Sequence, residues 1–548
     1  MSNSDPTGSG SVRPTPAAGP LAVGVLLTIG LVALHVHFYR HAGPLWRDEA
    51  ATVNLASMPS YAEIIVHRHY DSMPGAWTFL VHSWLALDLG SSDVALRRLG
   101  FLIGVTAIAG LWWSGRRLGL DAPLVSLVLF GMSPARIIYG DTVRGYGLAI
   151  IAAVWCMGAL WAFLERQTWR TYVVAQLAAL LAVQTHYGNT ISLAALSAGA
   201  AAVCLRRRAW RTLALTMAIG GTAAVALLIN VRGMLSSYGY SMAPTEQVQW
   251  GLGSYLESLW RALALGVPML SAAWVIAALL AVTGCIVALR SRRDRASAAV
   301  VTYVAVAVPI ALLAYVGSGW RVSKLPTQAW HYLPLVALIG LGLDVGVYAL
   351  ARQVAGGRTV RAAAAGVVAL LVARDVMAAV SVRMTNIDLS ARMIGETARP
   401  QDIVVVYPWF CGETFQRYYR GAAPWITIPD VPDHLYHPLA LVAEKIKLGD
   451  AGFAPELARV EHVLRDGGRV WVVGGLLAPP LGEPAPHLPP APDGPWGWQS
   501  APYLTGWLTQ LGALLQTHAR TIRKIDLPPT GPVNEFEDAP LLVAEGWY

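Results

Sequence analysis

Residues 21–39 of the chain read LAVGVLLTIGLVALHVHFY, and residues 44–50, shortly after them, read PLWRDEA. The first stretch is apolar and long enough to cross a bilayer, which takes about 17–25 residues in a helix. The second stretch places Asp48 and Glu49 beside Arg47 at the end of that predicted span. An acidic pair at a membrane surface is a candidate for proton transfer, metal binding or recognition of sugar hydroxyls. The alternative is a polar loop whose acids are simply solvated.

The composition indicates a polytopic membrane protein. Of the 548 residues, 55% are hydrophobic and 14% are charged, whereas a soluble protein has about 25% charged residues. The net charge of +8 comes from basic residues in short clusters between apolar runs, a pattern typical of cytoplasmic loops and not of a protein that binds nucleic acid. The four cysteines are far apart in the sequence, so we expect core residues without a disulfide or a metal-ligand pattern.

About 11 apolar runs are predicted to cross the membrane. They lie near residues 21–40, 96–115, 121–139, 146–164, 171–186, 188–205, 212–230, 264–289, 298–316, 331–350 and 362–381. If the N-terminus is cytoplasmic, every basic cluster between these runs falls on the inside, as the positive-inside rule requires. The clusters are Arg116-Arg117, Glu165-Arg166 with Arg170, Arg206–Arg208, Arg290–Arg295 and Arg352–Arg361. No cleavage site follows the first run, which is therefore expected to be a signal anchor.

One apolar segment has to stay out of the membrane for this topology to hold. Residues 75–89 read GAWTFLVHSWLALDL, and counting them as a span would place all later basic clusters outside. We expect an amphipathic helix that lies in the outer interface.

The character of the chain changes after about Val382, where the apolar runs become short. Residues 402–407 and 469–474 are rich in β-branched residues and are predicted to be buried strands. Residues 413–419, 440–447 and 505–523 are predicted helices, and the Pro/Gly-rich residues 478–502 a long irregular loop. The predicted organisation is a disordered cytoplasmic tail (1–20), a transmembrane catalytic domain with a large outer loop at 43–95 (21–381), and an extracytoplasmic α/β domain (382–548).

The predicted outer side collects side chains that suit a lipid headgroup with a phosphate and a sugar. Arg and Lys match phosphate oxygens, and carboxylates and aromatic rings suit sugar hydroxyls and ring faces. Loop by loop, these residues are Asp48, Glu49 and Asp71, then Asp141, Arg144 and Tyr146, then His186 and Tyr187, and finally Arg321, Lys324, His331 and Tyr332. The alternatives are attraction of the basic residues to lipid headgroups and structural roles for the histidines.

The order of these motifs resembles the GT-C superfamily of membrane glycosyltransferases, and most closely its family-39 group, the protein O-mannosyltransferases and bacterial aminoarabinose transferases. The matching motifs are WRDE (46–49), Asp71 with Pro74, LRRL (96–99), GRRLG (115–119), YGDTVRGY (139–146), THY (185–187) and HYLP (331–334). They cover roughly residues 20–350. Two positions depart from the family pattern, since SMPG (72–75) stands where Pro-Pro often follows the aspartate, and His331 stands where an arginine is common.

The resemblance implies an inverting transfer of a sugar from a polyprenyl-phosphate-linked donor to an acceptor hydroxyl at the outer face. Asp48 would be the base, with Glu49 as a neighbouring acid that positions the substrate. Arg144 would bind the phosphate together with Tyr146. Asp141 would orient Arg144 or, with Asp48, hold a divalent cation, although no cofactor is expected to be required.

The partners would be the lipid-linked donor, membrane lipid and an acceptor that the sequence does not identify, without nucleic acid. The location would be the inner (plasma) membrane of a bacterium. A different function, a transporter or flippase of a lipid-linked sugar, would place charged residues at mid-depth in the membrane. A catalytically silent relative is a third possibility.

Overall fold

The computed structural model describes residues 18–241, 251–291, 295–323, 327–492, 499–528 and 531–548. The part of the chain that it describes is mostly helical, with one sheet near the C-terminus. In chain order the α-helices are α1 (Ala18–His41), α2 (Arg47–Ala56), α3 (Tyr61–Val66), α4 (Ala76–Ala86), α5 (Asp93–Arg117), α6 (Leu124–Leu129), α7 (Pro134–Gly140), α8 (Tyr146–Glu165), α9 (Trp169–Thr185), α10 (Gly188–Arg207), α11 (Trp210–Ser241), α12 (Leu252–Ala264), α13 (Pro268–Arg290), α14 (Arg295–Ser318), α15 (Leu333–Ala351), α16 (Gly357–Val380), α17 (Ile387–Thr397), α18 (Gly412–Tyr418), α19 (Leu439–Ile446), α20 (Ala454–Arg465) and α21 (Ser500–His518). The strands are β1 (Ile403–Val406), β2 (Trp425–Thr427), β3 (Val470–Val473), β4 (Ala519–Ile525) and β5 (Leu541–Trp547).

Nine helices of the described chain are long and apolar enough to cross a membrane. They are α1, α5, α8, α10, α11, α13, α14, α15 and α16. Each coincides with one of the predicted apolar runs. The chain is a multi-pass membrane protein, as the sequence predicts.

The two remaining predicted spans have a different form. The run at 171–186 is α9, whose 17 residues are about 25 Å long at about 1.5 Å per residue. The run at 121–139 is not one helix, because α6 and α7 are separated by a break that ends at Pro134, the first residue of α7. Almost every residue of this run is buried. Non-helical backbone at membrane depth is tolerated where protein surrounds it, and here the bundle does so.

The centre of the bundle is formed by α8 and α15, which pack against each other. Most of each helix is buried, 83% of the apolar window of α8 and 78% of that of α15. Small residues allow the close packing of α13 on α15. A Cβ atom at Gly284 would collide with the carbonyl of Gly346, and one at Gly346 would collide with Ala281. Close backbone contact through small residues is the usual way in which helices associate in lipid.

The segment predicted to lie outside the membrane forms α4, which has 11 residues. At about 16 Å, this helix is too short to cross. Trp77 and Val81 on its buried face pack with Leu45, which precedes α2, and with Val53 of α2. The loop at 43–95 is thereby folded back on one end of the bundle.

The C-terminal region contains a five-stranded sheet in the order β2-β1-β3-β5-β4. Strands β2, β1 and β3 are parallel, whereas β5 is antiparallel to β3 and to β4. The predicted strands at 402–407 and 469–474 are β1 and β3, and both are fully buried. The C-terminal α/β domain is therefore confirmed.

The predicted helix at 505–523 is correct only in part. Helix α21 ends at His518, and the chain continues as β4, which pairs with β5. Residues 521 and 522 are β-branched, which suits an extended strand, and the pairing with a distant strand decides the conformation. The short strand β2 and the helices α17 and α20 were also not predicted. The helices predicted at 413–419 and 440–447 are confirmed as α18 and α19.

The C-terminal domain is seated on one end of the helix bundle. Arg417 forms an ion pair with Asp93 (2.6 Å) at the start of α5. The backbone N–H of Leu45 donates to the Tyr418 hydroxyl (2.8 Å), which donates to Asp93 (2.6 Å). These contacts place α18 directly beside α2, the helix that carries the acidic pair.

Candidate active site

Helix α2 begins at Arg47, and side chains of residues 46 and 49 stabilise its first turn. Trp46 precedes the helix, is 1% exposed and packs edge-on to Trp330 (5.9 Å between ring centroids). The Glu49 side chain accepts a hydrogen bond from the Trp46 backbone N–H (3.2 Å), as in a capping box. Carboxylates are favoured in the first turn because the helix dipole is positive there. The packing of Trp46 and the hydrogen bond of Glu49 thus fix the position of the first turn, from which Asp48 projects.

Glu49 is completely buried and serves the packing of the bundle. It forms an ion pair with Arg97 of α5 and accepts a hydrogen bond from the Val143 backbone N–H (2.7 Å). With the bond from Trp46, both carboxylate oxygens are engaged by protein donors. The geometry therefore gives no support to the prediction that Glu49 positions the substrate. Glu49 instead links α2 to Arg97 of α5 and to the backbone of Val143.

We expect Glu49→Gln to lower the stability of the protein. The change leaves the buried guanidinium of Arg97 without its counter-charge, and loss of one partner of a buried ion pair typically costs about 3–5 kcal/mol. The measurement is the thermal midpoint in detergent. Glu63→Gln, at an exposed position of α3, is the matched control and should leave the midpoint unchanged. Equal midpoints for the two variants would contradict the structural role of Glu49.

In contrast to the buried Glu49, Asp48 is partly accessible, with a side chain that is 15% exposed. Its carboxylate lies 3.5 Å from the guanidinium of Arg47 and 3.7 Å from the imidazole of His437. Burial opposes ionisation of Asp48, but the positive charges of Arg144 and Arg47 outweigh it, with a smaller contribution from His437, and hold its pKa below the usual value. Asp48 is thus an ionised carboxylate at neutral pH.

Arg144 lies in the loop between α7 and α8 and reaches toward α2. Its guanidinium donates to the hydroxyl of Thr52 (2.8 Å) and lies 3.5 Å from a carboxylate oxygen of Asp71. Asp71 is itself held by the backbone N–H of Met73 (3.1 Å). The Nε N–H of Arg144 is buried and has no protein acceptor in the described part of the chain. One donor of this cation is therefore left for a ligand oxygen.

Aromatic side chains surround Arg144 on the bundle side. Tyr146 lies close enough to Arg144 to interact with it electrostatically, and its ring lies 6.3 Å from that of His186 and 6.2 Å from that of His331. Next to them, Tyr187 interacts with Arg68. The structure therefore brings together seven of the predicted site residues, which are Asp48, Asp71, Arg144, Tyr146, His186, Tyr187 and His331.

Asp141 does not lie with this group. Its side chain turns into the bundle, where it contacts the buried His35 (2.5 Å), which in turn contacts Arg136. The prediction that Asp141 orients Arg144 is therefore not supported, because Asp71 occupies that position. The turn at the end of α7 points successive side chains in different directions, and Asp141 faces Gly104 of α5.

Of three further predicted site residues, two lie apart from the seven that the structure brings together, and one is outside the described residues. Tyr332 is buried, and its hydroxyl is 3.1 Å from that of Thr327. Arg321 is exposed and stacks on Trp320 at 3.7 Å from the ring centroid. Lys324 is outside the described residues. None of these observations gives Tyr332 or Arg321 a contact with Asp48 or Arg144.

The C-terminal domain adds residues that the sequence analysis missed. His437 approaches Asp48, and Glu413 lies 2.8 Å from the other nitrogen of the same imidazole. Glu537 is buried and accepts a hydrogen bond from the backbone N–H of Arg47 (3.0 Å), and burial raises its pKa to about 7. The available signal was the pair of histidines in the loop DVPDHLYHP (430–438), which lies outside the range of the resemblance.

Comparisons with known proteins give one clear result. The chain matches no protein-family description and no curated protein. Its structure is similar to that of the oligosaccharyltransferase of Archaeoglobus fulgidus tethered with an acceptor peptide, with a TM-score of 0.52 and 11% identity over 92% of this chain and 79% of that one. The chain shares the fold of this oligosaccharyltransferase. The likeness shows the fold alone, so the resemblance to the GT-C superfamily and to its family-39 group stays a prediction.

Two other structures are more distant in shape. The aminoarabinose transferase ArnT of Cupriavidus metallidurans, bound to undecaprenyl phosphate, has a TM-score of 0.45 and 15% identity over 83% of this chain and 93% of that one. The A. fulgidus oligosaccharyltransferase in complex with Zn and sulfate has a TM-score of 0.48 and 11% identity over 82% of this chain and 67% of that one.

The surroundings of Asp48 do not fit a divalent cation. Among the described residues, no group of three or more His, Cys, Asp and Glu side chains converges as metal ligands. Asp141, the predicted second ligand, faces away toward His35. The positive charges of Arg47 and Arg144 already act on Asp48 and would repel a further cation. No chemical step at this site is therefore assigned to a metal.

Proposed function

We propose that this protein is a glycosyltransferase that moves a sugar from a polyprenyl-phosphate-linked donor to an acceptor hydroxyl, with inversion, at the outer face of the membrane. The observation that carries the proposal is the arrangement of Asp48 and Arg144 at one end of the helix bundle. A carboxylate that is ionised and partly accessible lies in the field of a guanidinium with a free donor. The structural neighbour tethered with an acceptor peptide is named an oligosaccharyltransferase, which agrees with sugar transfer.

The reaction needs one base and one site for the leaving phosphate. The acceptor oxygen attacks the anomeric carbon from the face opposite the phosphate, while its proton passes to the carboxylate of Asp48. The bond between the anomeric carbon and the phosphate oxygen breaks, and both of its electrons go to the leaving polyprenyl phosphate. Arg144 and the phenol of Tyr146 donate hydrogen bonds to that phosphate as its negative charge grows. The balanced products are the glycosylated acceptor, polyprenyl phosphate and a proton on Asp48.

The proposed orientation places this site outside the cytoplasm and the basic clusters inside. The opposite end of the bundle carries a separate polar cluster, in which Arg361 pairs with Asp121 (2.9 Å) and Asp344 (3.3 Å). Asp344 also accepts two hydrogen bonds from Ser126 (3.0 Å each). These acids and Arg361 bind one another, which supports a structural role and gives a transport pathway no free charge at this position. We propose the inner (plasma) membrane of a bacterium as the location.

The test is donor turnover by the full chain in liposomes. The purified protein is given a panel of polyprenyl-phosphate sugars together with serine and threonine peptides, lipid A and glycans as acceptors. Release of polyprenyl phosphate together with a glycosylated acceptor supports the proposal. Passage of a donor across the bilayer without its consumption favours the transporter instead, and consumption of no donor in the panel contradicts the glycosyltransferase.

A further inference from the structure

Residues 430–438 of the C-terminal domain, which we call the strap, lie over the start of the large outer loop. Consecutive strap residues contact it. The carbonyl of Leu435 accepts a hydrogen bond from the side chain of Asn54 (2.9 Å). The ring of Tyr436 stacks on that of Tyr70 (4.4 Å between centroids, 12° between planes), and His437 follows at Asp48.

The imidazole of His437 lies between two carboxylates that belong to different domains. Its Nδ1 is 2.8 Å from Oε1 of Glu413, and its Nε2 is 3.7 Å from Oδ1 of Asp48. Trp409 packs edge-on against the ring at 5.9 Å. Glu413 is 2% exposed, in the first turn of α18, so the partner that holds the imidazole cannot turn away to water.

The charges that face His437 come from α18 and from α2. Burial and the nearby Arg47 favour the neutral imidazole, but the carboxylates of Glu413 and Asp48 outweigh them and raise the pKa of His437. In the same way, His437 is one of the positive groups that favour the ionised form of Asp48. An imidazolium between two carboxylates is stabilised by both, whereas two carboxylates without it would repel each other.

We propose that His437, held by Glu413, is a positioning residue for Asp48, so that the C-terminal domain completes the catalytic site by placing a cation against the base. This inference rests on the proposed function, because it assigns Asp48 the role of the base. It also gives the C-terminal domain a defined part in the reaction. The proton that Asp48 receives leaves it readily afterwards, because the neighbouring positive charge favours its ionised form.

The experiment compares the turnover of wild type, His437→Gln and His437→Arg across pH in liposomes. We expect His437→Gln to lower kcat about tenfold with donor affinity unchanged, because the uncharged amide no longer holds the Asp48 carboxylate in place and a small displacement of a reacting group lowers the rate. Wild-type kcat should fall as the pH rises through the pKa of His437, because the imidazolium is then lost. His437→Gln should lack this fall, and His437→Arg should keep more activity than His437→Gln, also without the fall.

Two controls separate positioning from a general structural effect. His434→Gln changes the other strap histidine, which packs on Trp425 (4.3 Å) away from Asp48, and should leave kcat and its pH dependence unchanged. In an Asp48→Asn background, His437→Gln should cause no further loss, because coupled residues are not additive. An unchanged kcat in His437→Gln, or a further full loss in the Asp48→Asn background, would overturn the proposal.

The pairing can be tested even if wild type consumes no donor, in which case the proposed function has failed. A histidine with a raised pKa stabilises the fold below its unfolded pKa of about 6.5, and this contribution is lost as the pH rises through the higher folded value. The thermal midpoint of wild type should therefore exceed that of His437→Gln at about pH 6 and match it at about pH 9. A difference that does not depend on pH would contradict the pairing.

Discussion

Asp48→Asn is expected to slow sugar transfer by about 10²- to 10⁴-fold, the range for loss of a general base, while donor binding persists. Asn has nearly the same shape as Asp but cannot take the acceptor proton. The side chain projects from the first turn of α2 and is 15% exposed, so a neutral amide fits in its place. The change gives up the ion pairs with Arg47 and His437, which are longer than that of the completely buried Glu49. The rate is read as release of polyprenyl phosphate, and binding is read from the concentration dependence of turnover.

The matched control for this variant is Asp88→Asn in the same outer loop. Asp88 is exposed and has a backbone φ of 53°, a conformation that Asn adopts readily. This control should turn over donor at the wild-type rate. Equal rates for Asp48→Asn and wild type would remove Asp48 from the chemistry and, with it, the basis of the role proposed for His437.

Much of the bundle could be predicted from the sequence because lipid imposes strict rules on the backbone. A segment in hydrocarbon must satisfy its own peptide groups, so a long apolar run such as residues 21–39 becomes a helix. This requirement predicts less about the backbone of a segment that is surrounded by protein instead of lipid. The break between α6 and α7 is hidden inside the bundle. Pro134 marks its end, but proline is also tolerated within membrane helices, so the apolar run alone predicts one continuous span. Strand β4 is a comparable case, since its pairing with β5 overrides a helical pattern.

The site could be predicted in part. The sequence shows which residues lie at one end of the bundle, whereas their contacts depend on the packing. Arg144 and Asp71 were both expected at the outer end, and the structure places them 3.5 Å apart. The resemblance assigned Asp48 the role of the base, but the sequence could not show that Glu49 is buried, because neighbouring residues on a helix point about 100° apart and only the packing shows which one faces the core. The role of His437 could not be predicted from the sequence, since its contact with Asp48 joins residues that are far apart in the chain.

Arg144→Gln is expected to lower kcat by about 10²- to 10³-fold, by analogy with the loss of one preorganised donor to a developing oxyanion. The guanidinium lies 3.5 Å from Asp71 and acts electrostatically on Tyr146, and its unpaired Nε N–H offers a hydrogen bond that Gln does not supply from the same position. Arg144→Lys keeps the charge but not the planar fork, so its rate should lie between those of Arg144→Gln and wild type. Arg98→Gln, at an exposed position of α5, is the control and should have no effect.

A loss of activity in Arg144→Gln can come from weaker stabilisation of the phosphate or from loss of the ion pair with Asp71. A second substitution, Asp71→Asn, distinguishes the two causes. Removal of the guanidinium takes an ion-pair partner from the buried Asp71, which can destabilise the site irrespective of the phosphate. In the double variant Asp71→Asn with Arg144→Gln, both charges of this pair are removed, and the thermal midpoint should recover relative to Arg144→Gln. If Arg144 stabilises the leaving phosphate, turnover stays low in the double variant despite the recovered stability. If turnover recovers together with the midpoint, Arg144 serves only as the partner of Asp71, and the phosphate must be bound by another cation.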